Sequence, residues 1–334
     1  MASEKKEKYP STFTIDNFSS TATLANNDQI KVPIDKGDEP TYNPYDHRDL
    51  EHPNSFSGAL IHLLKSSLGT GILAIPRAFK SAGLLVGLFG TIIIGFLCTH
   101  TIHILVRASH KVCTKSKIPS LGFADTAEEV FKQGPKPLRS WSRFAKNFVE
   151  IALLLTYYCG NAVYIVFITV SMTKLFSYYY PETETWDQYF KLMILVPLIL
   201  CCQVRELKHL VPFSFIANTM MVIAFGITLY YIFSGISSVK LSDRNLTTGL
   251  EGIPSFFSTV LFAMEGIGTI MPVENSMEKP TFLGCPGVLN SAMTVVVCLY
   301  TAIGFFGYYR FGDFTDATIT KNLPSDEIEL QLSL

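Results

Sequence analysis

The sequence predicts an all-α polytopic membrane protein, and three observations carry that prediction. The 334 residues are 48% hydrophobic and only 16% charged, with a mean hydropathy of +0.29; an ordinary soluble domain carries about 25% charged residues. Apolar runs of about twenty residues recur along the chain, the length an α-helix needs to cross a bilayer. Two of these runs are interrupted by closely spaced glycines followed by a proline, Gly69-Thr70-Gly71 before Pro76 and Gly266-Ile267-Gly268 before Pro272. Backbone that leaves the helix at membrane depth must be satisfied by protein or by a water-filled cavity, so these breaks mark a site.

Residues 1–52 are rich in Ser, Thr, Asn, Asp, Lys and Pro and are expected as a disordered cytosolic tail. Their first fifteen residues have no apolar core, so no cleavable signal peptide is expected. Residues 53–312 read as the transmembrane domain, with seven spans. The first covers about Ser57 to Phe79 and the second about Leu84 to Val106. The polar stretch Arg107 to Lys146 follows. Within it, Asp125-Thr126-Ala127-Glu128 has capping-box spacing and Gly134-Pro135 a stop, which predicts a short surface helix on the membrane. The third span covers about Asn147 to Phe176, the fourth about Phe190 to Val204 and the fifth about Leu210 to Phe233. The sixth covers about Ile253 to Met271 and the seventh about Val288 to Tyr309. Residues 313–334 are expected as a short C-terminal tail.

Charge in the loops sets the orientation. The loop between spans two and three carries nine Lys and Arg residues, whereas Tyr178 to Gln188 carries none. The positive-inside rule places the first loop and the amino terminus in the cytosol. Asn245-Leu246-Thr247 is then a glycosylation sequon on the outer or lumenal side. A net charge of −1 gives no basic footprint for nucleic acid. The seven cysteines lack metal-ligand spacing, and neither a metal site nor a disulfide framework is expected.

The two broken helices start five spans apart, so they cross the membrane in opposite directions, as in an inverted-topology repeat. An unwound helix offers amide donors where its second half begins, and the helix dipole there favours an anion. Thr70, Gly71 and Ile72 are expected to present those donors to a carboxylate. Free carbonyls near Phe262-Ala263 are expected to hold an ammonium group. The glycines let a ligand approach the backbone closely, and the candidate substrate-binding set is Ser66, Gly69, Thr70, Gly71, Ile72, Phe262, Ala263, Gly266 and Gly268. Carboxylate and amine held together mean an amino acid. His62 is the leading proton acceptor, since histidine titrates near neutral pH; Glu265, beside the second break, is its rival. Tyr157, Tyr158 and Tyr164 read first as packing. No Ser/His/Asp or Cys/His set is placed for catalysis, so an enzyme is not expected.

The stretches His62-Leu63-Leu64-Lys65, Gly69-Thr70-Gly71 and Pro76 resemble the first helix of proton-coupled amino-acid transporters of the amino-acid/auxin permease family. Phe262 to Gly268 and Met271-Pro272-Val273-Glu274-Asn275 resemble its sixth helix, and Gly304 to Gly312 its seventh. The resemblance, which runs from about Phe56 to Pro324, is to the insect branch. It implies a LeuT-like inverted-repeat fold and proton-coupled symport of small neutral amino acids, with the proton as coupling ion and no other cofactor. It also implies a lysosomal, vacuolar or plasma membrane. The family has about eleven spans against seven here, so the chain is read as C-terminally truncated. The alternatives are therefore a non-transporting isoform that modulates full-length relatives, and an amino-acid sensor. A disulfide between outer loops, known in some relatives, is not carried over, because residues 178–188 and 235–252 contain no cysteine.

Overall fold

A computed structural model describes residues 42–50, 53–180, 186–203, 211–236, 239–264 and 266–322. Its helices are α1 (Phe56–Ser67), α2 (Ile75–Ala82), α3 (Leu84–Ser116), α4 (Phe123–Gln133), α5 (Lys136–Arg139), α6 (Ser142–Tyr179), α7 (Asp187–Cys202), α8 (Val211–Ser234), α9 (Ile253–Ala263), α10 (Ile267–Asn275) and α11 (Val288–Phe311). Leu84–Ser116, Ser142–Ser177, Leu250–Asn275 and Val288–Phe314 are long and apolar enough to cross a bilayer. The pair Phe56–Ser67 and Thr70–Ala82, bent by 45°, makes a fifth such span, and Gln188–Leu200 and Thr219–Ser234 are shorter apolar helices. An apolar helix thus stands at each of the seven expected positions, and the chain is an all-α polytopic membrane protein.

The first span breaks for local reasons. Ser55 caps α1 by accepting a hydrogen bond from the Gly58 amide at 3.2 Å, which satisfies one of the orphan donors at a helix start. After Ser67 the backbone leaves the helix at Leu68 and is extended at Gly69, then tightens into a 3-10 turn over Thr70–Ala74. Pro76 sits in the first turn of α2, where its missing N–H removes no helical bond. In the sixth span, α9 ends at Ala263 and α10 resumes at Ile267 after Gly266.

At the centre stands α11, which packs on α1, α2, α3 and α8, while α1 packs on α10 and α2 on α9. The first half of each broken span therefore lies against the second half of the other, as antiparallel neighbours must. Gly304 and Gly307 bring α11 close to α2: a Cβ at Gly304 would sit 2.3 Å from Phe79, and one at Gly307 would sit 2.7 Å from Pro76. Ile75, Phe79, Phe256, Tyr300 and Tyr308 fill the joint between these helices with no exposed surface. A second layer forms where α4 packs on α6 and α6 on α7.

Four expectations about element boundaries change. Residues 42–50, expected within the disordered tail, form a 3-10 turn at Pro44–His47 that docks on α3 and α10; residues 1–41 and 51–52 lie outside the described residues. The surface helix begins at Phe123 behind Gly122, two residues before the expected cap, because Asp125 pairs with Lys146 at 2.8 Å instead. Its stop at Gly134 is where the sequence puts it. The second span runs ten residues past Val106, to a left-handed Lys117. Residues 313–322, expected as tail, fold back in 3-10 turns that bury Thr315, Ile319 and Thr320; residues 323–334 lie outside the described residues.

The two ends of the molecule are chemically distinct. At the C-terminal end of α3, Tyr45 and Arg48 meet His110 and the carbonyl of Pro119. At its N-terminal end, the Leu84 and Leu85 amides donate to the carbonyls of Asn245 and Leu246. The amino-terminal segment and the Lys-rich loop therefore share one end, and the sequon lies at the other. Gly83, with φ of +89°, makes this second junction possible, since a Cβ there would meet Thr247 at 2.7 Å.

Candidate functional site

The two breaks face each other across a cavity of about 190 Å³. Eight of the nine expected substrate-binding residues line it: Ser66, Gly69, Thr70 and Gly71 from the first break, and Phe262, Ala263, Gly266 and Gly268 from the second. The ninth, Ile72, departs from the expectation. Its side chain is 1% exposed within the hydrophobic core, and its amide donates to the Gly69 carbonyl at 3.4 Å. The 3-10 turn consumes that donor, so the amides available at the start of the turn are those of Thr70 and Gly71.

Close approach explains the glycines. A Cβ on Gly71 would lie 2.8 Å from the Cα of Ala263, a backbone atom that cannot rotate away. A Cβ on Gly268 would occupy the place of the Tyr157 hydroxyl, whereas one on Gly69 would meet only the Tyr164 hydroxyl, at 3.9 Å. Two side chains connect the breaks directly. Thr269 donates to Ser66 Oγ at 3.1 Å, and Ser66 in turn donates to the Leu63 carbonyl at 2.9 Å. The Tyr300 hydroxyl faces the carbonyls of both Ser67 and Ala263, the last residues of α1 and α9, the latter at 2.7 Å. These are helix-end carbonyls without an intrahelical partner. A phenol carries one proton for the two of them.

The third wall comes from α6: Thr156, Tyr157, Gly160, Asn161 and Tyr164. Tyr157 and Tyr164, which read first as packing, are thus hydroxyl-bearing walls of the cavity; Tyr158 is 74% exposed and absent from its lining. Thr156, Asn161, Thr269 and Tyr300 were not singled out by sequence. Asn161, a primary amide in a long apolar helix, was the one signal available.

His62 stands apart. It is exposed on α1 and does not line the cavity, and Ser66 bonds to Leu63 and Thr269 rather than to it. Glu265 lies outside the described residues. Asn245 is exposed. No group of three or more His, Cys, Asp or Glu side chains able to hold a metal occurs among the described residues.

A buried ionic cluster closes the far end of α10. Glu274, 1% exposed, accepts from Arg48 Nη2 at 2.9 Å, from Tyr45 Oη at 2.7 Å and from His110 Nε2 at 2.8 Å. Arg48, 3% exposed, also donates to the backbone carbonyls of Glu274, Met277 and Pro119, and its guanidinium lies 4.1 Å from the Tyr45 ring centroid. Burial, and then the Glu274 carboxylate, push the Tyr45 phenol above its ordinary pKa. Both charges are paired and hydrogen-bonded, as buried charges must be.

Residues 52–333 match the family model described as transmembrane amino acid transporter protein. The chain is 40% identical over 287 residues to the Drosophila melanogaster proton-coupled amino acid transporter-like protein pathetic, covering 86% of this chain and 60% of that protein. It is 29% identical over 304 residues to the Caenorhabditis elegans probable amino acid transporter skat-1, covering 87% of this chain and 65% of that protein. It therefore spans about 60–65% of the length of these curated relatives. No solved structure matches it. The broken antiparallel helices and the family match agree, and the chain belongs to the transmembrane amino acid transporter family, a family of transporters rather than enzymes.

Proposed function

We propose that the cavity between the two breaks binds a small neutral amino acid, and that the protein moves it with a proton by alternating access. The observation that carries this reading is the pairing of donors and acceptors across one small space. The Thr70 and Gly71 amides stand at the head of a helical turn, suited to a carboxylate. The Ser67 and Ala263 carbonyls share a single phenolic proton, and an ammonium group would supply the missing donors. A volume of about 190 Å³ lies below the roughly 300–1,000 Å³ of sites for drug-sized ligands, which favours a small side chain. Two broken helices meeting at one site are what inverted-repeat transporters use. The printed name of the Drosophila relative supports proton coupling.

His62 is the proposed proton carrier. It sits two turns before Gly69, about 10 Å along the helix axis at ~1.5 Å per residue, so its charge acts on the packing of α1 rather than on the substrate. The shared end of the amino-terminal segment and the Lys-rich loop supports a cytosolic amino terminus. A lysosomal, vacuolar or plasma membrane is the proposed setting.

Equilibrium binding of radiolabelled alanine to the purified chain tests the site. Competition by unlabelled alanine is expected, with none by its amide or its N-acetyl derivative. Equal competition by the blocked analogues overturns the assignment. Uptake by the same chain in proteoliposomes under an inward proton gradient distinguishes transport from binding alone.

A further inference from the structure

A second cavity, larger than the first and sharing no residue with it, runs along the outer junction of α3 and α11. It measures about 630 Å³. Its walls change character along the helix axis. Ile92, Phe96 and Val297 line one part, and His100, His103 and Arg107 follow in the half of α3 that leads to the Lys-rich loop. From Ile92 to Arg107 is about 22 Å at 1.5 Å per residue. Gly95 forms the floor, since a Cβ there would sit 2.2 Å from Val297.

The polar end is built for an anion. No acidic side chain lines the groove. Arg107 is exposed, its side chain makes no ion pair or hydrogen bond with any described residue, and its guanidinium is permanently charged. The His100 ring stacks on Phe96 with planes 5° apart. Asn290 donates through Nδ2 to the Gly284 carbonyl, so its Oδ1 accepts from His103 Nε2 at 2.8 Å. With Nε2 donating, His103 Nδ1 carries a lone pair and is closed off from the groove, so His103 forms part of the wall and Arg107 is the cation that faces an anion there. A cation beside an apolar wall between two helices is the arrangement with which basic pockets between membrane helices hold lipid head groups. A free phosphate would use the rim and leave the apolar wall unused; an anionic lipid uses both.

We propose that the α3–α11 groove binds an anionic phospholipid, its phosphate at Arg107 and an acyl chain along Ile92, Phe96 and Val297. The site is independent of the amino-acid reading, because it shares no lining residue with the central cavity. Its occupant bridges α3 and α11, the two helices that flank the first broken span.

The test is photo-cross-linking of the purified full chain with phosphatidylglycerol carrying a diazirine on its acyl chain, followed by peptide mass spectrometry. Adducts are expected within residues 92–103 or 290–298. Unlabelled phosphatidylglycerol should suppress them, whereas phosphatidylcholine and glycerol phosphate should not. Arg107→Ala is expected to cut the yield about fivefold, the scale of one basic residue at an anionic head group. Lys111→Ala, one turn on and outside the groove, should leave it unchanged. Should Arg107→Ala fail to fold, Arg107→Gln is read in the same way. Equal suppression by phosphatidylcholine, displacement by glycerol phosphate alone, or an unchanged yield in a folded Arg107 variant overturns the proposal.

Discussion

The Tyr300 hydroxyl lies 2.7 Å from the carbonyl oxygen of Ala263 and also faces that of Ser67, so one side chain of α11 holds the ends of both broken spans. Tyr300→Phe removes the donor and leaves two buried helix-end carbonyls without it, at a cost of about 1–3 kcal/mol. A lower melting temperature of the detergent-solubilised chain and weaker amino-acid binding are expected together. Unchanged values for both would mean the phenol only fills space.

The glycines of the first break should separate. Gly71→Ala places a methyl group against the Ala263 backbone at 2.8 Å, and overpacking of this kind costs about 1–3 kcal/mol. Gly69→Ala meets only a hydroxyl at 3.9 Å and should fold as the parent does. Thermal stability and surface abundance of the two variants check the contrast. For this reason Gly69→Ala, and not a bulky residue at Gly71, is the cleaner probe of ligand binding.

Arg48→Ala leaves Glu274 buried with Tyr45 and His110 as its remaining side-chain partners. Removing one member of a buried ion pair costs about 3–5 kcal/mol. Arg48→Lys should not restore it, because a single ammonium cannot span the Glu274 carboxylate and three backbone carbonyls. Release of the amino-terminal segment can be followed by limited chymotryptic cleavage after Tyr45, a site that all these variants keep.

The same cluster predicts an alkaline limit. Tyr45 is raised above its ordinary pKa, by burial first and Glu274 second, so its contribution to stability is fully present below about pH 10, the unfolded value. Above that pH the unfolded state loses its phenolic proton first, and stability falls as pH rises. Melting temperatures measured between pH 8 and pH 11 should drop more steeply in the parent than in Tyr45→Phe, with Arg48, His110 and Glu274 unchanged.

His62→Ala in a transport-competent form is expected to abolish accumulation driven by a pH gradient while exchange down a substrate gradient survives. Glu265→Gln belongs in the same experiment as the competing carrier. Accumulation by His62→Ala equal to the parent moves coupling away from this residue.

The amino-acid sequence by itself determined where the chain crosses and where it breaks, because both are local. Span length follows from runs of apolar residues, and the breaks follow from Gly69, Gly71, Gly266 and Gly268, whose lack of a side chain is legible at any position. Eight of the nine residues expected to bind substrate line one cavity. Ile72 lies in the core instead, because a 3-10 turn and an unwound loop share a sequence while differing in which amide stays free. The partners supplied from far along the chain were decided only by the tertiary structure. Tyr157, Asn161 and Tyr164 sit on α6, whose apolar residues occur on every side of the helix, so no periodicity shows which face meets the cavity. Tyr300 reads as one more aromatic in an apolar span until α11 packs against both breaks. Arg48 reads as part of a polar tail until folding brings it across 226 residues to Glu274. Such pairings depend on how helices pack in space, and helix packing is written in surfaces that form only once the chain has folded.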